Sequence, residues 1–334
     1  MDARRNPFAP GAGTRPPELA GRDALLERNA VALDRIRAGR AARPSVLYGL
    51  RGVGKTVLLT TMRDAAEGEG MAIVAIEAPE NRSLPGILVP ALRATLLRLD
   101  RMKQASDGVK RALRALAGFD FDVEPGLADS GDLEADLADL LVAIGEAARE
   151  KGSAVVLVID ELQYVPEEQL AALISALHRA SQKQLPITMI AAGLPQLVGQ
   201  MGRAKSYAER LFEFVSVGPL DDHAARDAIR LPIEREGEAV DDAALDAICE
   251  QTQGYPYFLQ EWGKHSWDAA EASPITQDDV AAATRSALAE LDASFFRVRF
   301  DRLTPAEKRK ECSIVPRMEI QRSPCPCSMH SCEE

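Results

Sequence analysis

Short unbroken apolar runs alternate along the first two thirds of the chain with longer stretches whose apolar positions recur every three or four residues. The runs at Ser45–Tyr48, 71–76, 154–159, 187–192 and 213–217 have the length and β-branched content of strands. The run 154–159 (Ala-Val-Val-Leu-Val-Ile) has no polar position at all, the pattern of a parallel strand buried on both faces. Between the runs, helical periodicity appears from Asp23 (Leu25, Leu26, Val31, Leu33, Ile36), after Thr56, over 132–150 and over 166–182. Residues 84–117 also read as helical, with interruptions near Pro85 and Pro90 and again around 106–108. After Pro219 the strands stop, and the pattern predicts helices only, over 221–236, 242–252, 256–271 and 276–291.

Strands alternating with helices predict an α/β fold: three layers, with a parallel sheet covered on both sides, followed by an all-helical domain. The expected units are an extended Pro- and Gly-rich arm at 1–20, a core at 21–218, helices at 219–302 and an irregular tail at 303–334, with a hinge near Gly218-Pro219. Composition narrows the classes. The 334 residues are 46% hydrophobic, ample for a core, and carry a formal charge of −11, which argues against sequence-independent DNA binding. No apolar run reaches the length of a membrane span, and the N-terminal arginines lack the apolar core of a secretory signal, so a cytoplasmic location is expected. One cysteine, Cys249, precedes residue 312, which suits a reducing compartment.

The chemistry concentrates at two places. Gly49-Leu50-Arg51-Gly52-Val53-Gly54-Lys55-Thr56 fits the phosphate-cradling G-x-x-x-x-G-K-[ST] loop, and it stands where such a loop must, between a strand and a helix. Glycines let backbone N–H groups approach phosphate oxygens, and the helix N-terminus favours anions. Lys55 is then expected to reach the β- and γ-phosphates of ATP, and the Thr56 hydroxyl to ligate Mg2+. Asp160-Glu161 follow the most apolar strand, at the edge of an open sheet where ligands bind. Asp160 fits an aspartate that holds magnesium, and Glu161 a base that polarises the attacking water. The alternative is a pair of loop carboxylates capping the next helix.

Gly21-Arg22-Asp23, then GLRGVGKT, then VVLVIDE, then a helical domain resembles the AAA+ ATPases of the origin-recognition type and the related STAND signalling ATPases, over approximately residues 7–302. The runs NPFAPGAGTRPPELAGRD and GYPYFLQEWG are similar to a group of bacterial ATP-binding proteins. The resemblance implies a lid formed by the helical domain and adenine contacts from Leu19, Ala20, Gly21 and Arg22. It implies an arginine finger at Arg210, which would complete a neighbouring subunit's site, with Lys205 and Arg203 as weaker alternatives. Its Gly254-Tyr255-Pro256 implies that Pro256 packs against the nucleotide, whereas the bare residues also fit a glycine ending one helix and a proline starting the next. For Arg210 the plain alternative is a surface ion pair with Glu209 or Glu213. One departure stands out: such ATPases place a polar sensor at the end of the fourth strand, where this chain has Ala191-Ala192-Gly193, and Thr188 comes too early. That bears against fast hydrolysis.

Between Arg93 and Arg114 seven basic residues (Arg93, Arg98, Arg101, Lys103, Lys110, Arg111, Arg114) face two acids, a polyanion surface or a solvated helix face. His178 and His223 stand alone and read as structural. In the tail, Cys312, Cys325, Cys327, His330 and Cys332 are too closely spaced for an ordinary four-ligand zinc knuckle. Leu303-Thr304-Pro305 introduces a winged helix in the resembling group, and the tail reads as the remnant of one lost by frameshift or truncation. The expected activity is slow Mg-ATP hydrolysis that drives a conformational switch, with an unknown protein partner or self-association. A DNA-associated loader and a nucleotide-binding scaffold that barely hydrolyses are the alternatives.

Overall fold

The computed structural model describes residues 1–78, 83–102 and 132–292. Arg101, Lys103, Lys110, Arg111 and Arg114 of the basic stretch, Phe295, Phe296 and Phe300, and the cysteine-bearing tail lie outside the described residues or have side chains outside them. Five strands, β1 (Ser45–Tyr48), β2 (Ala72–Glu77), β3 (Val155–Asp160), β4 (Ile187–Gly193) and β5 (Glu213–Ser216), form one sheet in the order β2-β3-β4-β1-β5. Every pairing is parallel. The carboxyl ends of all five strands therefore emerge at a single edge.

Alternation along the strands sorts the side chains into two cores. Val155, Leu157, Ile159, Met189 and Ala191 enter one face, covered by α3 (Leu84–Met102), α4 (Asp132–Glu150) and α5 (Glu167–Gln182). Val156, Val158, Ile190 and Ala192 enter the other, covered by α1 (Asp23–Arg37) and α2 (Lys55–Gly68). Strands covered on both faces have no need of polar positions, which explains the unbroken run in β3.

Two details differ from the sequence reading. Helix α3 runs through Pro90 without a break. Its Leu84, Leu88, Leu92 and Leu96, spaced four apart, are all buried, so packing outweighs the one backbone hydrogen bond that proline removes. On α1, Val31 is 51% exposed, and the buried positions are Asn29, Leu33 and Ile36.

Two short helices, α6 (Gln196–Ala204) and α7 (Ala208–Leu211), join β4 to β5. After β5 come α8 (Asp222–Arg235), α9 (Asp242–Thr252), α10 (Pro256–Ala269) and α11 (Gln277–Leu291), which enclose a core of their own around Ile229, Leu245, Leu259, Trp262 and Trp267. The N-terminal arm is largely extended, as expected, but it is docked. Phe8 is buried in that helical core, and a Cβ on Gly263 would lie 2.8 Å from its ring, so the contact needs glycine there. The Trp267 indole donates to the Asp2 carbonyl at 2.9 Å, and the Asn6 amide donates to the Lys264 carbonyl at 3.0 Å. Among the described residues no helix is long and apolar enough to cross a membrane.

If Phe8 anchors the arm, Phe8→Ala should lower the unfolding free energy by about 3 kcal/mol. Urea titration gives that value, and faster amide exchange should be confined to α10 and the arm.

Candidate functional site

The loop between β1 and α2 is shaped by what its glycines must avoid. A Cβ on Gly49 would stand 2.1 Å from the Val217 carbonyl oxygen, because the loop passes directly beneath the chain leaving β5. Gly52 and Gly54 take φ of 87° and 89°, the left-handed region that side chains disfavour. Gly54 then caps α2, and a Cβ there would meet nothing, so the space in front of the helix N-terminus is open. The first-turn amides of α2 face that space with no side-chain cap, an anion-binding arrangement.

Lys55 is 8% exposed and donates from Nζ to the loop's own carbonyls, Gly49 O at 2.9 Å and Leu50 O at 2.8 Å. Burial lowers its ammonium pKa, opposed by the nearby charges of Glu161 and Asp160. The next residue reaches the acids directly: Thr56 Oγ1 donates to Asp160 Oδ2 at 2.7 Å. The two halves identified in the sequence thus meet at the sheet's carboxyl edge, although β4 separates their strands.

Glu161 adopts φ 52°, an unusual backbone for a glutamate, and its amide donates to Asp160 Oδ1 at 2.8 Å. Its carboxylate accepts a hydrogen bond from Gln163 Nε2, on the 3-10 turn Leu162–Tyr164. Gln163 is 6% exposed, and its Oε1 accepts from the Leu194 amide at 3.0 Å. This accounts for the missing polar residue at the end of β4. A Cβ on Gly193 would lie 2.6 Å from Leu197 and 2.8 Å from Gln163 Oε1, so the position is already filled by an amide from another segment. The sequence reading missed Gln163; its only signal was its place two residues after Glu161.

A cleft of about 380 Å³ lies between this loop, the helical domain and the arm. Of the expected contacts, Leu19, Ala20, Arg22, Arg51 to Thr56, Glu161 and Pro256 line it. Gly49 and Leu50 sit behind Lys55, and Gly21 does not line the cleft; its Cβ would be 2.6 Å from Ala224. Arg22 donates to the Gly218 carbonyl at 2.6 Å, and burial lowers its pKa, opposed by Asp221. Asp160 and Thr56 border an adjoining depression with Glu77. The arm segment 9–14 also lines the cleft and was not anticipated; its Gly13, at φ 73°, would bring a Cβ within 3.3 Å of Thr56. Gln260, on α10, lines the same cleft with a buried Oε1 that has no hydrogen-bond partner, as a ligand carrying an amine would explain.

The helical domain closes onto the loop through two bonds: Tyr257 N donates to Gly52 O at 3.1 Å, and the Tyr255 hydroxyl donates to the Arg51 carbonyl. Arg51 in turn donates to the Tyr164 hydroxyl at 2.7 Å. Arg210, on α7, is exposed and lies at the amino-terminal edge of the sheet, since Glu213 pairs with Ser45 there. It therefore stands away from its own chain's cleft. Glu213, one of the partners considered for it, pairs instead with Arg28 at 3.1 Å. Arg203 and Lys205 are engaged by Glu167 at 3.3 Å and Glu134 at 2.8 Å. His178 stacks against Tyr207, and His223 pairs with Asp227 on its own helix.

The sequence matches the AAA ATPase domain family over residues 18–190, just over half of the chain. No curated protein sequence matches it. Among solved structures, a Walker-type ATPase of Pyrococcus abyssi is similar with a TM-score of 0.52 and 18% identity, over 90% of this chain and 78% of that one. The Orc1 protein of Aeropyrum pernix, solved in complex with DNA, is similar with a TM-score of 0.50 and 16% identity, over 89% of this chain and 72% of that one. At these identities the likeness is one of fold.

The packing around Gly49 makes one outcome definite. Gly49→Ala should push the loop away from Val217, lowering stability by about 2 kcal/mol. Nucleoside triphosphate affinity, read by calorimetry, should fall at least about tenfold.

Proposed function

Since the chain belongs to the AAA ATPase domain family, we propose that it binds Mg-ATP in the cleft between sheet edge and helical lid and hydrolyses it slowly as a conformational switch. The observation that carries this reading is the 2.7 Å bond from Thr56 to Asp160, which unites the anion-binding loop and the acidic pair at one point. The residues fit the ligand: an open helix N-terminus for phosphate, a lysine behind it, a hydroxyl and a carboxylate side by side for a metal, and the orphaned Gln260 oxygen for an amine. Leu19, Arg22 and Pro256 supply the walls for the base. When bound, Mg2+ neutralises charge on the phosphate oxygens.

The chain's own part is positioning. Lys55 exchanges its loop carbonyls for phosphate oxygens, and Thr56 and Asp160 hold the metal. Glu161 takes the proton of the attacking water, and Gln163 fixes the carboxylate's orientation through the bond to one of its oxygens. The Tyr257 and Tyr255 contacts seal the loop against the lid, so the state of the phosphates is felt directly by α10. Arg210 completes the site of a neighbouring copy: it is exposed and lies at the sheet's amino-terminal edge, away from its own cleft.

Glu161→Gln should cut turnover by about 10² to 10⁴ while ATP affinity changes less than about threefold. Gln163→Ala should lower turnover by about tenfold with the same unchanged binding, as expected of a positioning residue. Single-turnover assays alongside calorimetry separate the two effects, and normal turnover in Glu161→Gln removes that residue from the mechanism. In a second experiment, Arg210→Ala mixed with Glu161→Gln should regain activity that neither protein has alone. Strictly additive rates would exclude a shared site.

A further inference from the structure

Away from the cleft, three metal-ligating side chains converge between α10 and α11. Glu261 and His265 are one turn apart on α10, and Glu290 faces them from α11. One ligand atom from each lies within 4.8 Å of the other two. His265 Nε2 is 3.0 Å from Glu290 Oε2 and 4.0 Å from Glu261 Oε2.

The Glu261 side chain is 5% exposed, and its Oε2 is buried without a hydrogen-bond partner. An unpartnered carboxylate oxygen in a domain core is costly unless a cation meets it. His265 Nε2 is likewise buried and makes no hydrogen bond of acceptable direction. The hydrogen bonds on the far side of the ring say which nitrogen is available. Ser286 donates its hydroxyl proton to the Ala283 carbonyl at 2.9 Å, so at its 3.1 Å contact with His265 Nδ1 it accepts. Nδ1 therefore carries a proton, and the Nε2 lone pair points toward two carboxylates. A histidine oriented by a hydrogen bond through its other nitrogen is the usual arrangement of a metal ligand. Glu290 accepts a hydrogen bond from Lys264 at 3.2 Å.

We propose that Glu261, His265 and Glu290 bind a divalent transition-metal ion of the Zn2+ type that clamps α10 to α11. Ligand atoms shared by a tetrahedral zinc stand about 3.4 Å apart, between the two separations observed to Nε2. One imidazole with two carboxylates suits Zn2+ or Co2+ and not Mg2+ or Ca2+, which favour oxygen ligands throughout. With three protein ligands the fourth position falls to water, through the partly exposed side of Glu290. Because α10 also carries Tyr257 and Gln260, the ion stiffens the helix that contacts the nucleotide loop.

The test uses the full chain with Cys312, Cys325, Cys327 and Cys332 replaced by serine, so that tail thiols do not compete. After chelation, Zn2+ is titrated by calorimetry and Co2+ by visible absorption. One equivalent should bind, unaffected by excess Mg2+, and the cobalt spectrum should lack a thiolate charge-transfer band. Glu261→Gln and His265→Gln should each weaken binding at least about tenfold, and Ser286→Ala should weaken it measurably. The metal should raise the melting temperature of the parent and leave that of Glu261→Gln unchanged. Absence of binding in the serine-substituted chain, or equal affinity in parent and Glu261→Gln, overturns the site. Glu261→Gln is nearly isosteric and decides the matter even if His265→Gln fails to fold.

Discussion

The proposed chemistry depends on a hydroxyl on one strand's helix reaching a carboxylate on a strand that is not its neighbour. Strands in a sheet are spaced by about 4.8 Å, so the end of β3 is about 10 Å from the end of β1. The all-parallel pairing brings both ends to one edge, and α2 leans across β4 so that Thr56 meets Asp160. At the end of β4 a Cβ on Gly193 would meet Leu197 and Gln163, so the glycine leaves room for the Gln163 amide, which in turn holds Glu161. The glycine there and the glutamine after the acids are two parts of a single packing solution.

Closure onto the site is also built from backbone. The helical domain and the loop are joined at the Gly52 and Arg51 carbonyls, and Arg22 donates to the Gly218 carbonyl where the chain leaves the sheet. Close backbone approach sets the glycines at these places: Gly49 under Val217, and Gly254, at φ 69°, where a Cβ would be 2.3 Å from the Leu220 carbonyl oxygen. Side chains occupy the walls of the cleft, while the bonds of its frame all end on main-chain carbonyls, of Gly52, Arg51 and Gly218. A frame of that kind tolerates little shift between lid and sheet without breaking bonds.

Much of this was legible in the sequence, for identifiable reasons. β3 and β4 announce themselves because burial on both faces removes every polar position. Asp132–Glu150 is read correctly because its apolar stripe is clean and nothing competes with it. The glycine loop at 49–56 and Asp160-Glu161 are local words, and the structure brings them together at Thr56 and Asp160. What stayed hidden was non-local. Proline at 90 signals a break by its own chemistry, and only the leucines packed beneath it overrule that signal. The positive φ of Glu161 and the role of Gln163 follow from the end of β4, some thirty residues further on. Nor does any local pattern reveal that Phe8 rests on Gly263, or that Glu261 and His265 meet Glu290 across two helices.

The route of the arm has a mechanical side. Phe8 is fastened in the helical lid, Gly13 passes over Thr56, and Leu19 packs against the sheet's second core. The eleven residue steps from Phe8 to Leu19 are a leash between the two bodies, and pulled taut they span about 36–40 Å. A segment of that length limits how far the helical domain could part from the sheet, and Gly13, beside Thr56, lies on its path. Cutting that segment would remove the covalent limit without touching Asp160 or Glu161.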